Sequence, residues 1–438
     1  MPIPKAERST DYADLTDSMS DVREQILAAG ARARSAGKEL AVRSDQDKSA
    51  ALIAAAEQIE KGEAKILAAN MSDLEQGAAN GLSSALLDRL RLDHGRLAAI
   101  CRSLRDVAQL PDPVGQVIRE WSRPDGLRFK KVRVPIGVIG IIYESRPNVT
   151  SDAASLCLKT GNAVILRGGS EALASNMALC EALRAGCRQA GVPEDAVQIV
   201  SSTDRSAVRA MAEMSEFIDL IIPRGGKQLI ETVTTFARMP VIKHFDGICH
   251  VYVDQAADLA MAEAIVINAK CQRPSVCNAA ETLLVHAGIA KEFLKHCGPE
   301  LQRLGVELRG DSETQAVLGS SVRPATEQDW RTEHLDLILS VRVVPNVAEA
   351  ITHIETYGSH HSDTIVTSDE QAATEFLNKV DSAAVFWNAS TRFNDGAEFG
   401  FGAEIGISTD RLHARGPMAL EELTIYKYQV IGQGHVRA

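Results

Sequence analysis

The chain has 438 residues, 45% hydrophobic and 24% charged, an ordinary balance for a globular protein of two or three domains with ample buried core. Its net charge of -11 and pI of about 5.6 argue against nonspecific binding to nucleic acid or an anionic membrane, and no apolar run reaches the roughly 18 residues a membrane span needs. Eight scattered cysteines with no CxxC pair exclude a dense disulfide framework; residues 1–20 are polar, lack a signal-peptide core and read as a loose tail, so a cytoplasmic protein is expected.

Residues 21–110 are rich in Ala, Leu, Glu and Arg and predict several helices; over 48–69, Leu52, Ile53, Ala56 and Ile59 recur at helical spacing. Pro111-Asp112-Pro113 ends that region. Residues 117–120 and 127–134 then read as strands around a turn at Arg123-Pro124-Asp125-Gly126, an antiparallel hairpin. From 135 a repeating unit begins. Apolar strands at 138–143, 163–167, 197–200, 218–222 and 241–243 alternate with helices at 150–159, 171–190, 204–214 and 226–237. Short continuous apolar strands between helices predict a parallel sheet buried on both faces, of the doubly wound nucleotide-binding kind. A second α/β block has strands near 251–253, 281–286, 336–344, 363–367 and 383–387. The strand-like 423–432 needs a partner, in the 117–134 hairpin or in another subunit.

Two strand-to-helix turns are glycine rich: Arg167-Gly168-Gly169-Ser170-Glu171 and Arg224-Gly225-Gly226-Lys227. Helix N-termini at the carboxyl edge of a parallel sheet offer free N–H groups to phosphates, and each turn adds a cation. Either turn alone reads as a tight bend; two in one sheet point to a nucleotide, although there is no GxGxxG fingerprint. Cys277 lies in Gln272-Arg273-Pro274-Ser275-Val276-Cys277-Asn278, between a helical stretch and a strand. A cation and free N–H groups there favour thiolate, the nucleophilic form, over the commoner role of a small buried residue. His360 and His361 sit in a polar turn, where adjacent residues rarely chelate one ion, and 244–250 reads as a structural turn, so no metal is expected.

Together these residues resemble the aldehyde dehydrogenase superfamily, from about residue 21 to the C-terminus. The resemblance is carried by Pro135-Ile136-Gly137-Val138-Ile139-Gly140-Ile141-Ile142-Tyr143-Glu144-Ser145-Arg146-Pro147-Asn148-Val149-Thr150, by the 272–278 loop and by His353-Ile354-Glu355-Thr356-Tyr357-Gly358-Ser359-His360-His361-Ser362-Asp363. It implies an α/β fold with a doubly wound cofactor domain (21–116 and 135–245), an α/β catalytic domain (246–417) and a small β oligomerisation element (117–134 and 418–438). It further implies Cys277 as nucleophile, Arg167 to Glu171 at the adenosine ribose, Gly225 and Gly226 at the pyrophosphate with Lys227 beside them, and Glu333 at the nicotinamide ribose.

Two departures narrow the chemistry. Oxidising members carry a general-base glutamate that hydrolyses the thioester; the similar position here reads His244-Phe245-Asp246-Gly247. The superfamily's oxyanion Asn is also missing, which leaves Ser145, Asn148, Asn278 or backbone N–H groups as donors. The reaction the resemblance implies is NADPH-dependent reduction of the acyl phosphate L-glutamyl 5-phosphate through a Cys277 thioester, with Arg146, Arg273, His360 and His361 as anion-binding candidates. The same resemblance implies a homo-oligomer and a contact with glutamate 5-kinase. The alternatives are a CoA-acylating aldehyde dehydrogenase, which also lacks the hydrolytic base, and a silent scaffold, against which the intact Cys277 loop and both glycine turns speak.

Overall fold

The computed structural model describes the backbone of residues 11–437 and the side chains of 22–437. They divide into two units: one runs to Ile242 and resumes from Ala419, and the other is Lys243–Met418.

The first unit opens with five helices, α1 (Asp11–Leu40), α2 (Asp45–Lys61), α3 (Glu63–Ala79), α4 (Ser84–Leu90) and α5 (His94–Gln109). Residues 11–20, expected as part of a loose tail, are the first turns of α1, while 1–10 lie outside the described residues. A capping box between Ser44 and Asp47 starts α2, satisfying N–H groups that a helix end otherwise leaves open. Leu52, Ala56 and Ile59 are fully buried along one stripe of α2, whereas Ile53 falls off that stripe and is 44% exposed.

Strands β1 (Val117–Ser122) and β2 (Arg128–Pro135) form the predicted hairpin, and the C-terminal strand Thr424–Ile431 pairs antiparallel with β2. Of the two partners left open for that strand, the hairpin is the one it pairs with in this chain. Trp121 stacks on Phe129 at 5.3 Å and meets Tyr428 edge-on at 6.1 Å, holding the three strands in register.

The repeating region folds as β3 (Val138–Tyr143), α6 (Asn148–Lys159), β4 (Ala163–Arg167), α7 (Leu173–Gln189), β5 (Val197–Ile199), α8 (Ser206–Glu213), β6 (Leu220–Arg224) and α9 (Lys227–Phe236). The strands are parallel in the order β5-β4-β3-β6. Every residue of β3 is buried, as expected of a strand covered on both faces. Strand order reverses between β3 and β6, the place where open α/β sheets hold ligands at their carboxyl ends. The expected fifth strand at 241–243 is reduced to one parallel bridge, Ile221 to Val241.

The second unit carries a seven-stranded parallel sheet built from β7 (Cys249–Val253), β8 (Ala280–His286), β9 (Glu307–Gly310), β10 (Arg323–Pro324), β11 (Ile338–Val344), β12 (Ser362–Val366) and β13 (Ala384–Trp387). The order is β10-β9-β11-β8-β7-β12-β13, so β7 and β8 are neighbours and β12 lies on the far side of β7. Strands β9 and β10 were not expected from the sequence. Val251, Val253, Leu283, Val285, Leu339 and Val341 form the middle of its core with Phe293 and Leu294 of the helix Ala287–Arg303. Among the described residues no helix is long and apolar enough to cross a membrane.

Candidate active site

At the carboxyl edge of the first unit's sheet, both glycine turns follow strand ends. The Glu144 carboxylate, just past β3, accepts the Gly226 N–H at 2.9 Å, and the Glu144 N–H donates to the Arg224 carbonyl at 3.2 Å. A Cβ on Gly225 would lie 2.4 Å from the Glu144 carboxylate and 2.7 Å from Leu229, so only glycine leaves room there. Gly226 caps α9 and Lys227 begins it, an arrangement that suits a phosphate at a helix N-terminus; Glu144 stands where that anion would bind. Arg167 is buried at the end of β4, with Nη2 at 3.4 Å from the carbonyls of Thr203 and Asp204. Burial pushes its pKa down, opposed by the Glu171 and Glu144 charges. Its Nε is buried with no partner among the described residues, and an anionic group on the nucleotide ribose would satisfy it. These residues fit a dinucleotide.

The donors expected from the 144–148 turn are occupied by neighbours. Ser145, at φ 45°, donates both its N–H and its hydroxyl to the Glu171 carboxylate at 2.6 Å. Ser170 is exposed between Gly169 and Glu171 in a short 3-10 turn. Asn148 donates to Asp152 at 2.8 Å within α6, and Arg146 is exposed on the turn before that helix. Burial pushes the Asp152 carboxyl up to about 6, against the pull of Asn148 and Arg224. Its folded-state pKa thus exceeds the unfolded value of 3.8, so the cost of ionising it is absent below that value and complete above about pH 6. Asp152→Asn is expected to stabilise the fold by about 3 kcal/mol at roughly pH 8 and by well under about 1 kcal/mol near pH 4, read from thermal melts of both proteins.

In the second unit three segments meet at the amino ends of neighbouring strands: 244–248 before β7, 272–279 before β8, and 358–361 before β12. Cys277 occupies the turn Val276–Ala279, closed by the Ala279 N–H donating to the Val276 carbonyl at 3.0 Å. That bond uses neither the Cys277 nor the Asn278 N–H, which leaves both for an oxyanion. One ligating atom each of His244, Cys277 and His361 lies within 4.8 Å of the others. The two rings pack edge-on at 5.4 Å. His361 is fully buried, and burial pushes its pKa down to about 4, so it is a neutral imidazole. His244 is half-buried, with Nδ1 at 2.8 Å from the Ile407 carbonyl; a carbonyl only accepts, so Nδ1 carries the hydrogen and, in the neutral ring, the lone pair is on Nε2.

Cys249 donates its thiol to the Cys277 carbonyl at 3.2 Å, and burial raises its pKa well above the ordinary thiol value. It therefore braces the nucleophile loop as a neutral thiol. Gly247 packs directly against that loop: a Cβ on it would lie 2.1 Å from the Cys277 carbonyl oxygen and 2.6 Å from its Cα. Glu333 accepts the Gly247 N–H; burial raises its pKa, and its neighbours are Asp246, His361 and Lys270. Beneath them the buried Lys270 Nζ meets Glu281 at 2.7 Å, and burial lifts Glu281 to about 7.

One expected donor, Asn278, is corrected by this geometry, and another candidate, His360, has one ring nitrogen committed elsewhere. The Asn278 amide donates to the carbonyls of Asn394 at 3.0 Å and Arg392 at 3.4 Å, so its side chain holds the loop to the 391–394 segment and does not point a donor at substrate. His360, at φ 60°, is tied by Nδ1 to the Asp381 carbonyl at 2.7 Å. Arg273 is exposed beside the loop. Sequence reasoning missed Arg392. Its pKa is pushed down by burial and by the nearby Arg273 charge, and held up by Asp395 and by the Cys277 and Cys249 sulfurs, which puts a second cation at the nucleophile. It donates to Gln272 at 2.7 Å and, with Gln272, Asn268, Phe393, Asp395 and Glu398, lines a cavity of about 230 Å³.

A doubly wound sheet with glycine-rich turns at its carboxyl edge and an α/β unit presenting the Cys277 turn define the class. The sequence model described as the aldehyde dehydrogenase family matches residues 10–332, and the chain belongs to that family. Its relatives narrow the branch. A gamma-glutamyl phosphate reductase of Moorella thermoacetica is 54% identical over 413 residues, 94% of this chain and 99% of that one. The crystal structure of the Thermotoga maritima gamma-glutamyl phosphate reductase superposes with a TM-score of 0.93 at 48% identity, covering 94% and 99% of the two chains. The Saccharomyces cerevisiae enzyme of that name covers 94% and 98% at 31% identity, with a TM-score of 0.52.

Proposed function

We propose that the chain reduces L-glutamyl 5-phosphate to L-glutamate 5-semialdehyde and phosphate, using NADPH and a Cys277 thioester, as the second step of proline biosynthesis. The observation that carries this reading is the Cys277 turn set against two imidazoles, where hydrolytic relatives would hold a glutamate base. The Nε2 lone pair of His244 accepts the thiol proton as the sulfur attacks, with the Arg392 and Arg273 charges nearby. The sulfur attacks the acyl carbon, the C–O bond to phosphate breaks, and the N–H groups of the Cys277 turn stabilise the oxyanion. Arg392 and Arg273 are the cations for the leaving phosphate. The first unit's glycine turns would hold the dinucleotide, which would supply the hydride that reduces the thioester. The resulting hemithioacetal expels the Cys277 thiolate and yields the aldehyde.

Arg167, with its unpartnered Nε, is the residue we assign to the 2′-phosphate and hence to NADPH over NADH. Glu144 has to leave the Gly226 N–H before the pyrophosphate arrives. Glu144→Gln is expected to lower the Kd for NADPH roughly fivefold, about 1 kcal/mol, by removing a charge from the helix N-terminus. Fluorescence titration measures it, and an unchanged or weaker Kd would count against this placement.

The strand Thr424–Ile431 is the edge of its three-stranded sheet and exposes Ile425, Tyr426, Tyr428, Val430 and Ile431, each at least 45%. An apolar edge of this kind suits pairing with a second copy, so we assign it to homo-oligomerisation. Transfer of the unstable acyl phosphate from glutamate 5-kinase, and a cytoplasmic setting, follow from the same reading.

The reaction is tested in reverse with glutamate 5-semialdehyde and NADP+. Phosphate is expected to support cofactor reduction and CoA is not. Reduction that requires CoA would replace this reading with that of a CoA-acylating enzyme.

A further inference from the structure

We propose that His244, Cys277 and His361 form a binding site for a soft divalent cation, Zn2+ by its chemistry, and that the bound ion caps the Cys277 sulfur and reversibly switches the enzyme off. The ion-binding half stands on the geometry of the three side chains; the inhibitory half rests on the proposed role of Cys277 as nucleophile.

Two imidazoles and a thiolate are a borderline-soft donor set that suits Zn2+ and disfavours Mg2+ or Ca2+. Tetrahedral zinc with bonds of about 2.0 to 2.3 Å needs its ligand atoms roughly 3.3 to 3.6 Å apart. The three atoms here lie within 4.8 Å, so a movement of about 1 Å closes the site. Of the two imidazoles, His244 is the one that is not fully buried.

The two histidines are oriented as metal ligands are. A ligating imidazole usually fixes its other nitrogen on a carbonyl, hydroxyl or carboxylate, which sets the tautomer and the ring plane. His244 has Nδ1 on the Ile407 carbonyl at 2.8 Å. His361 has Nδ1 on the Ser362 hydroxyl at 2.8 Å, and Ser362 is itself held by the Asn394 amide at 2.8 Å. Independently of the cluster, His361 Nε2 is buried with no partner among the described residues, in a ring with no exposed surface. An orphaned buried nitrogen costs free energy, and a cation removes that cost. The sequence hides the site because the adjacent pair His360-His361 does not form it. His361 joins residues 84 or more positions away, brought to it by the order β8-β7-β12. Binding exchanges the Cys277 S–H bond for an S–Zn bond and releases one proton to solvent, with no redox change; water fills the fourth position.

The full chain, reduced and stripped with EDTA that is then removed, is titrated with ZnCl2 against a chromophoric chelator and separately with CoCl2. Wild type is expected to bind one Zn2+ and to give a thiolate-to-cobalt charge-transfer band. Affinity should fall about tenfold or more in Cys277→Ser, His361→Gln and His244→Gln, and stay at the wild-type value in Cys271→Ala. The band should vanish in Cys277→Ser. Stoichiometric Zn2+ should abolish wild-type turnover, and EDTA should restore it. A wild type without the band, or with a band and affinity unchanged in Cys277→Ser and His244→Gln, overturns the site. Should His361→Gln fail to fold, those two variants and the wild-type band decide alone. If zinc binding fails while Cys277→Ser is inactive, the ion site falls and the nucleophile stands. If zinc binds at the three residues and turnover continues, the inhibitory role and the nucleophile reading fall together.

Discussion

Cys277→Ala is expected to lower the turnover number by roughly 10⁴-fold or more, because the covalent path loses its nucleophile and no neighbouring group replaces it. NADPH binding and thermal stability should stay near wild type, since Cys277 is half-buried and its side chain is outside the apolar core. Cys271→Ala is the matched control. Cys271 ends the helix Leu259–Cys271 only six residues earlier, yet burial raises its pKa, and most activity should survive its loss. Steady-state kinetics on both variants separate a specific thiol from a generally cysteine-sensitive protein. Full turnover in Cys277→Ala removes the thioester from the mechanism.

The second large effect is expected at a residue with no chemistry of its own. Gly247→Ala would put a methyl group 2.1 Å from the Cys277 carbonyl oxygen and 2.6 Å from its Cα, so the nucleophile loop has to move. A displacement of about 1 Å at a reacting atom costs on the order of 10²-fold in rate, and the overpacking itself costs about 1 to 3 kcal/mol. Turnover should therefore fall by roughly 10²-fold while Cys277 can still be alkylated and the Kd for NADPH is unchanged. The Gly247 N–H bond to Glu333 and the Cys249 thiol bond to the Cys277 carbonyl resist that movement. Wild-type turnover with an unshifted melting temperature would show that the approach of 247 to 277 is not needed.

Much of the architecture was legible because the first unit's strands are short apolar runs between strong helix formers. Val138–Tyr143 reads as a doubly covered strand on composition alone, and it is one. Strands β9 and β10 escaped notice for a physical reason. Glu307–Gly310 alternates polar and apolar residues over only four positions, and Arg323–Pro324 is a two-residue edge with both side chains exposed. Residues 241–243 erred the other way: the apolar pair is real, but one bridge is all the sheet edge gives it. Helix α1 begins at Asp11, where low hydrophobicity had suggested a tail.

At the site, the Cys277 loop was legible as a motif and its surroundings were not. Neighbours in sequence competed for attention with neighbours in space. Asn278 and His360 looked available because they flank Cys277 and His361, but the Asn278 amide N–H groups hold the backbone at 392 and 394, and His360 Nδ1 holds that at 381. Arg392 and Cys249 were overlooked because each is far from Cys277 in the chain and reaches it only through the strand order. In the first unit, Glu144 lies inside the quoted motif, yet its bond to Gly226 depends on β3 and β6 being adjacent, which no local pattern announces.

The most direct test of the thioester is quenched mass spectrometry of the wild-type protein incubated with glutamate 5-semialdehyde and NADP+ in the absence of phosphate. A glutamyl adduct is expected on the peptide containing Cys277, persistent in water and discharged within the mixing time when phosphate is added. No adduct, an adduct on another cysteine, or one that water removes as fast as phosphate does, would contradict the account.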